Sequence, residues 1–281
     1  MLDTLARAWR DPRGRAGALM LAALGALAAV GPTLLPDPLA QPCVLTCRNL
    51  GPSLAHPFGT DDLSRDILSR VASGGRISLA VATLAVALSV TLGAAMGLVA
   101  GYWGGAVDAA LMRLVDAALA IPRLFLLLLV LAVWEQVPIA VMILLIGATG
   151  WFGTGRLVRG EALRLREELY VRAAEALGAS RRRIIFRHLL PNTAGPLLVA
   201  ATLGVGDVIL LEAGLSYLGL GVQPPTPSWG NLLNDAQNFT MIAPWVVWFP
   251  GLAILVTVLA VNFLGDGLRD AFDPHQRIRE R

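Results

Sequence analysis

Long apolar runs separated by shorter polar segments set the pattern of this chain. The runs extend from Ala16 to Leu35, Ile77 to Ala100, Ala117 to Trp134, Pro138 to Leu157, Ala194 to Leu215 and Trp245 to Leu264. Each is close to the roughly 20 residues that a hydrocarbon layer about 30 Å thick requires. Backbone groups inside lipid must find partners within their own segment, so a spanning element is a helix or part of a closed barrel. Continuous apolar runs, unlike alternating ones, select helices. The pattern therefore predicts an all-α polytopic membrane protein with six transmembrane helices and both termini on one side.

The polar segments divide the chain into an N-terminal tail (1–15), a first span (16–36), a proline-containing loop (37–76), a membrane core (77–264) holding a polar segment at 158–193, and a C-terminal tail (265–281). Arg7, Arg10, Arg13 and Arg15 precede the first apolar run in the layout of a secretory signal, but that run exceeds the roughly 7–15 residues of a signal core. We read it as an uncleaved span; cleavage near Ala28 or Ala29 is the alternative.

Composition agrees with the pattern: 56% of the 281 residues are hydrophobic and 15% charged, which excludes an ordinary soluble domain. All 23 basic residues are arginines, and 18 of them fall on one side of the membrane if the N-terminus is inside. The positive-inside rule then puts both termini and the 158–193 segment in the cytoplasm, as expected for a bacterial inner-membrane protein. Because the arginines sit where a bilayer holds them, the lipid bilayer explains them and nucleic acid is not expected as a partner. Arg123, just inside the third run, is expected to snorkel to the interface.

Cys43 and Cys47 lie in the first outward loop. That compartment permits a disulfide. A disulfide, two free thiols and a metal site are all open on spacing alone. Trp134, Trp245 and Trp248 read as interfacial anchors, and Ser228 as the N-cap of a short helix after the prolines of VQPPTPSWGNLL.

The most informative stretch runs from Glu161 to Pro191. Strong helix formers reach Leu177, Gly178-Ala179-Ser180 interrupts them, and Pro191 is expected to end a second helix. This reads as helix, turn, helix. It could lie on anionic headgroups or grip a partner.

The segment resembles the cytoplasmic coupling loop of ABC importer permeases, whose pattern is Glu-Ala-Ala, three residues, Gly, nine residues, Ile, one residue, Leu-Pro. Here Arg172-Ala173-Ala174 precedes Gly178, with His188 and then Leu190-Pro191; Arg172 and His188 depart in type and the spacing is kept. HPFGTDDLSRDILSR from His56, GYWGGAVDAALMRLVD from Gly101, EAGLSYLGLGVQPPTPSWGNLL from Glu212 and GDGLRDAFDP from Gly265 resemble the second permease subunit of dipeptide, oligopeptide and nickel importers.

The resemblance implies a type I ABC importer permease fold with cytoplasmic coupling helices. It implies as partners a homologous second permease, two cytoplasmic ATPase subunits that use ATP and Mg, and an extracytoplasmic binding protein, with a short peptide as substrate and nickel as the alternative. The chain has no lysine and so no phosphate-binding loop of its own; no cofactor and no catalytic residue is expected in it. ATPase contacts are expected at Glu168, Tyr170, Val171, Arg172, Ala173, Ala174, Leu177, Gly178, Ala179, Ser180, Arg183, Arg187 and Pro191.

A carboxylate at the bilayer centre costs at least ~2.5 kcal/mol and normally faces a cavity or a partner. Asp207 and Glu212 are accordingly the candidates for the translocation path. For Asp207 two readings stay open: a pore-lining group that helps a cationic amino end to pass, or a structural residue at the permease interface. An intramembrane hydrolase would need a base beside a serine such as Ser216, and His56, His188 and His275 all lie outside the predicted spans.

Overall fold

The computed structural model describes residues 9, 11–43 and 46–272. Arg7 and Arg10 before Asp11 and Arg277, Arg279 and Arg281 after Arg269 lie outside that range, as does His275. Within it the chain is helical, and the single strand-like feature is an isolated bridge between Thr60 and Asp66.

Helix α1 (Pro12–Leu34) starts where the Asp11 carboxylate accepts a hydrogen bond from the Gly14 amide at 2.7 Å and Pro12 presets the first turn. It packs against the last helix: a Cβ on Gly17 would lie 2.4 Å from the Ala260 carbonyl oxygen. Helix α2 (Ile67–Trp103) is capped by Asp66, which accepts from the Ser69 amide at 2.8 Å. It begins ten residues before the apolar run, because the cap and not the change in hydropathy starts the helix.

The third apolar run is not a continuous span. Helix α3 (Gly105–Leu119) and helix α4 (Arg123–Leu131) meet at 79°. Pro122 has no amide hydrogen to donate and pushes Ile121 away from helical geometry, so the break falls between them. Among the described residues five helices are long and apolar enough to span, and six spans result when the bent pair is taken as one.

Helix α5 (Ile139–Arg166) carries the fourth run on into the polar segment, so the expected boundary at residue 158 falls inside a helix. Helix α6 (Leu169–Ala176) and helix α7 (Arg181–Ile184) form the hairpin. The chain then passes through a π-helical turn, Ile185–Leu189, into helix α8 (Leu190–Tyr217). Pro191 does not end a helix. It lies in the first turn of α8, where a missing amide hydrogen costs nothing intrahelical.

After the prolines comes helix α9 (Trp229–Asp235). Ser228 caps it in a reciprocal box, accepting from the Asn231 amide at 3.2 Å while its own amide donates to Asn231 Oδ1 at 2.8 Å. Helix α10 (Trp245–Phe272) closes the bundle. Ile67, Leu127, Met142, Ile146, Ile209 and Leu215 form the fully buried centre of its main core.

Candidate functional site

Two regions carry the chemistry: the arginine-rich hairpin at one end of the bundle and a cavity at mid-depth. In the hairpin, Glu167 and Glu168 turn the chain between α5 and α6. Gly178 has φ +80, a conformation that side-chain-bearing residues resist, and its amide donates to the Glu175 carbonyl at 2.9 Å. Ser180 Oγ accepts from the Arg183 amide at 3.4 Å to start α7.

Not all residues expected to meet a partner face outward. Val171 is 0% exposed and belongs to a second core with Leu98, Val158, Leu165, Ile184 and Leu189. Its expected contact role is therefore corrected: it fastens the hairpin to the bundle, because the apolar face of α6 must be buried. Ala174 and Ala179 are half-buried, while Tyr170, Arg172, Ala173, Leu177, Gly178, Ser180, Arg183, Arg187 and Pro191 are exposed. Leu177 is 89% exposed and Leu169 85%, so the tip presents bare apolar surface.

Ion pairs set the arms of this hairpin. Arg172 pairs with Glu167, and Arg164 reaches Glu161 at 2.9 Å and Glu168 at 3.3 Å. The position where the resemblance expected an acid thus holds an arginine with an acidic neighbour of its own. Tyr102 donates to Glu175 at 3.3 Å, and Arg159 grips Asp108 of α3 at 2.6 Å.

The two intramembrane carboxylates part company. Glu212 is 0% exposed, accepting from Ser78 Oγ at 3.0 Å and Ser216 Oγ at 2.7 Å. Ser78 Oγ also accepts from the Trp229 amide at 3.2 Å, and Ser216 Oγ from the Val222 amide at 3.0 Å. The knot joins α2, α8 and α9, so Glu212 lines no opening and its expected place on the translocation path is corrected. It is the acidic partner that the sequence did not supply for Ser216, but both hydroxyls are enclosed and fully engaged.

Asp207 is exposed and lines a cavity of about 260 Å³ with Ser89, Arg123, Thr154 and Gly204. Arg123 does not snorkel away. Its Nε donates to Thr149 Oγ1 at 3.1 Å and its Nη2 to the Ile146 carbonyl, which turns the guanidinium into the cavity where it feels the Asp207 carboxylate. The sequence held the signal for this residue, an arginine after a proline inside an apolar run, but not its direction.

At the opposite end, the Cys43–Cys47 disulfide (Cα–Cα 5.5 Å) closes a turn fastened by Thr60 Oγ1 to the Cys47 carbonyl at 2.6 Å and by Ser64 Oγ to the Cys43 carbonyl at 3.0 Å. Asp61 accepts from Arg65 at 2.6 Å and Arg70 at 2.8 Å, and Arg70 also reaches Asp235 at 3.0 Å. Trp245, expected as an interfacial anchor, donates from Nε1 to the Thr60 carbonyl at 3.1 Å and bolts this loop to α10. Burial, and then the adjacent Asp61 charge, push the Asp62 carboxyl above the ordinary carboxylate range. Among the described residues no cluster of three or more histidine, cysteine or acidic side chains could hold a metal ion.

Comparison with known proteins adds to this geometry. Residues 89–278 match the family described as binding-protein-dependent transport system inner membrane component. The chain is 44% identical over 234 residues to the dipeptide transport system permease protein of Alkalihalophilus pseudofirmus, covering 82% of this chain and 75% of that one. It is 45% identical over 230 residues to the glutathione transport system permease protein of Pectobacterium atrosepticum, covering 80% and 75%. Against the dipeptide permease of Bacillus subtilis the identity is 39% over 276 residues, 98% of this chain and 86% of the relative.

Proposed function

The chain belongs to the family of binding-protein-dependent transport system inner membrane components, and from that membership we propose that it forms half of a heterodimeric, ATP-driven import pore for short peptides. Its partners in this reading are a homologous permease, two cytoplasmic ATPase subunits that use ATP and Mg, and a binding protein that delivers substrate on the side of the disulfide-closed loop. Both termini and the hairpin face the cytoplasm, in keeping with the side that holds 18 of the 23 arginines.

The observation that carries the proposal is the hairpin. Leu169 and Leu177 stand bare at its tip while Val171 and Ile184 root it in the core. A surface built this way suits a groove on a partner that changes shape. Only an interaction that differs between two states of the ATPases can bias the permease between its own two states. The buried cluster behind the hairpin touches α2, α5 and α8, three of the four helices that line the cavity, so a push on the hairpin has a rigid route inward.

Peptides are favoured as cargo because relatives at this level of identity are named for dipeptides and glutathione; nickel is not carried further. The test is uptake by proteoliposomes holding this chain with a second permease, ATPases and binding protein from the same genome. ATP-dependent uptake of labelled dialanine supports the reading, and an assembly that hydrolyses ATP without moving any di- or tripeptide refutes it.

A further inference from the structure

Arg123 and Asp207 are opposite charges that share one mid-depth cavity without closing on each other. No salt bridge or hydrogen bond joins them, and Asp207 makes no hydrogen bond to any described residue. Two charges left in this relation inside a membrane protein are costly, which points to a ligand or partner that completes them.

The surroundings keep them apart and in place. Arg123 is the first residue of α4, the second arm of the broken third span, and two of its nitrogens are committed to Thr149 and the Ile146 carbonyl on α5. Its remaining Nη1 makes no bond to a described residue, and the positive end of the α4 backbone adds to the field at that point. Discontinuous membrane helices whose starts face an anionic group are a recurrent way of building a substrate site. Gly150 makes the room: a Cβ there would lie 2.8 Å from Ser89 Oγ and 3.0 Å from Arg123 Nη2. Asp207 and Gly204 of α8 line the same cavity, with Ser89 and Thr154 as its uncharged polar residues.

We infer that this cavity is a transient binding site for a small zwitterion, with Arg123 taking the carboxylate and Asp207 the ammonium of a short peptide. The inference rests on the peptide reading above and goes beyond it by assigning each terminus a partner. At about 260 Å³ the space lies just below the ~300–1,000 Å³ of ordinary ligand cavities. That size suits a ligand of one or two residues better than a long chain. A site that recognises only the two terminal charges is indifferent to side chains, and the ligand's own termini supply each cavity charge with the partner it lacks while bound.

The experiment is saturation-transfer NMR on the purified assembly of both permeases and the ATPases, without the binding protein, using dialanine and its doubly blocked analogue N-acetyl-dialanine amide. Saturation of dialanine and not of the blocked analogue is expected in the wild type. Asp207→Asn and Arg123→Gln should each lower the dialanine signal about tenfold, the size of a lost charge-assisted bond, and Asp207→Glu should restore most of it. That rescue separates charge recognition from misfolding. Equal signals from both ligands, no dialanine signal, or a signal unmoved by both neutral variants overturns the site. Uptake of dialanine by the complete wild-type system is measured in parallel: if uptake persists while the NMR result fails, the site alone is wrong, and if uptake is absent the peptide reading falls with it.

Discussion

Gly97 of α2 lies so close to Gly155 of α5 that a Cβ on it would sit 2.5 Å from the Gly155 carbonyl oxygen. Gly93 and Gly101, one turn to either side, are equally tight against Thr154 and Ala162. This small-residue stripe replaces the hydrophobic drive that lipid removes from helix association.

Gly97→Leu should therefore separate α2 from α5 and lower the melting temperature of the detergent-solubilised protein, by a cost of about 3 kcal/mol or more. Gly160→Ala, where an added Cβ meets open space, should leave melting within about 0.5 kcal/mol. Similar melting for the two variants would dismiss the stripe as a packing device.

The Glu212 knot predicts an ordered series. Ser78→Ala removes one donor from a carboxylate that is wholly enclosed and should destabilise by about 1–3 kcal/mol. Glu212→Ala loosens α2, α8 and α9 together and should cost more, whereas Glu212→Gln keeps shape and most bonds and should be the mildest. Thermal melts of the three variants check the order.

At the hairpin, Leu177→Glu should lower substrate-stimulated ATP hydrolysis several-fold with little change in melting, since that side chain is 89% exposed. Gly178→Val should also uncouple hydrolysis, through the strain of a branched residue at φ +80, and should disturb the hairpin by about 1–2 kcal/mol. Normal stimulation in both would remove the hairpin from coupling.

Asp62 gives a pH dependence of known sign. Its folded-state pKa is raised by burial and by the Asp61 charge, so the ionised form is disfavoured by folding. Asp62→Asn should therefore stabilise the loop at neutral pH, and that advantage should shrink as pH falls through the raised pKa and vanish below the ordinary value of 3.8. Amide exchange of the 58–66 loop in the two proteins, between neutral pH and pH about 4, measures the difference.

Much of this protein is legible in its sequence, for reasons that differ by element. The long spans follow from length and continuity alone, because a helix is the open solution to an unsolvated backbone. Ser228 is a short-range signal, serving a backbone amide three residues away; Asp66 does the same for α2, but hydropathy alone misses that cap and starts the span at Ile77. Cys43 and Cys47, four apart, closed a turn that spacing allowed without requiring.

What the sequence misjudged depended on direction and on distant neighbours. Hydropathy counted Ala117 to Trp134 as one span, yet Pro122 breaks it and the 79° bend sets Arg123 inward. Asp207 and Glu212 read alike as intramembrane acids. They lie five positions apart on one helix, and that separation turns them to different faces: Glu212 to Ser78, 134 residues away in the chain, and Asp207 to an open cavity. Val171 looked like its neighbours in the hairpin until α5 and α7 enclosed it. The sequence alone determined that the chain lives in a bilayer as helices and which segment stands out of it, since those depend on local transfer energies. Tertiary structure decided which charges are sealed, which are presented and which face each other, since those depend on packing between residues far apart in the chain.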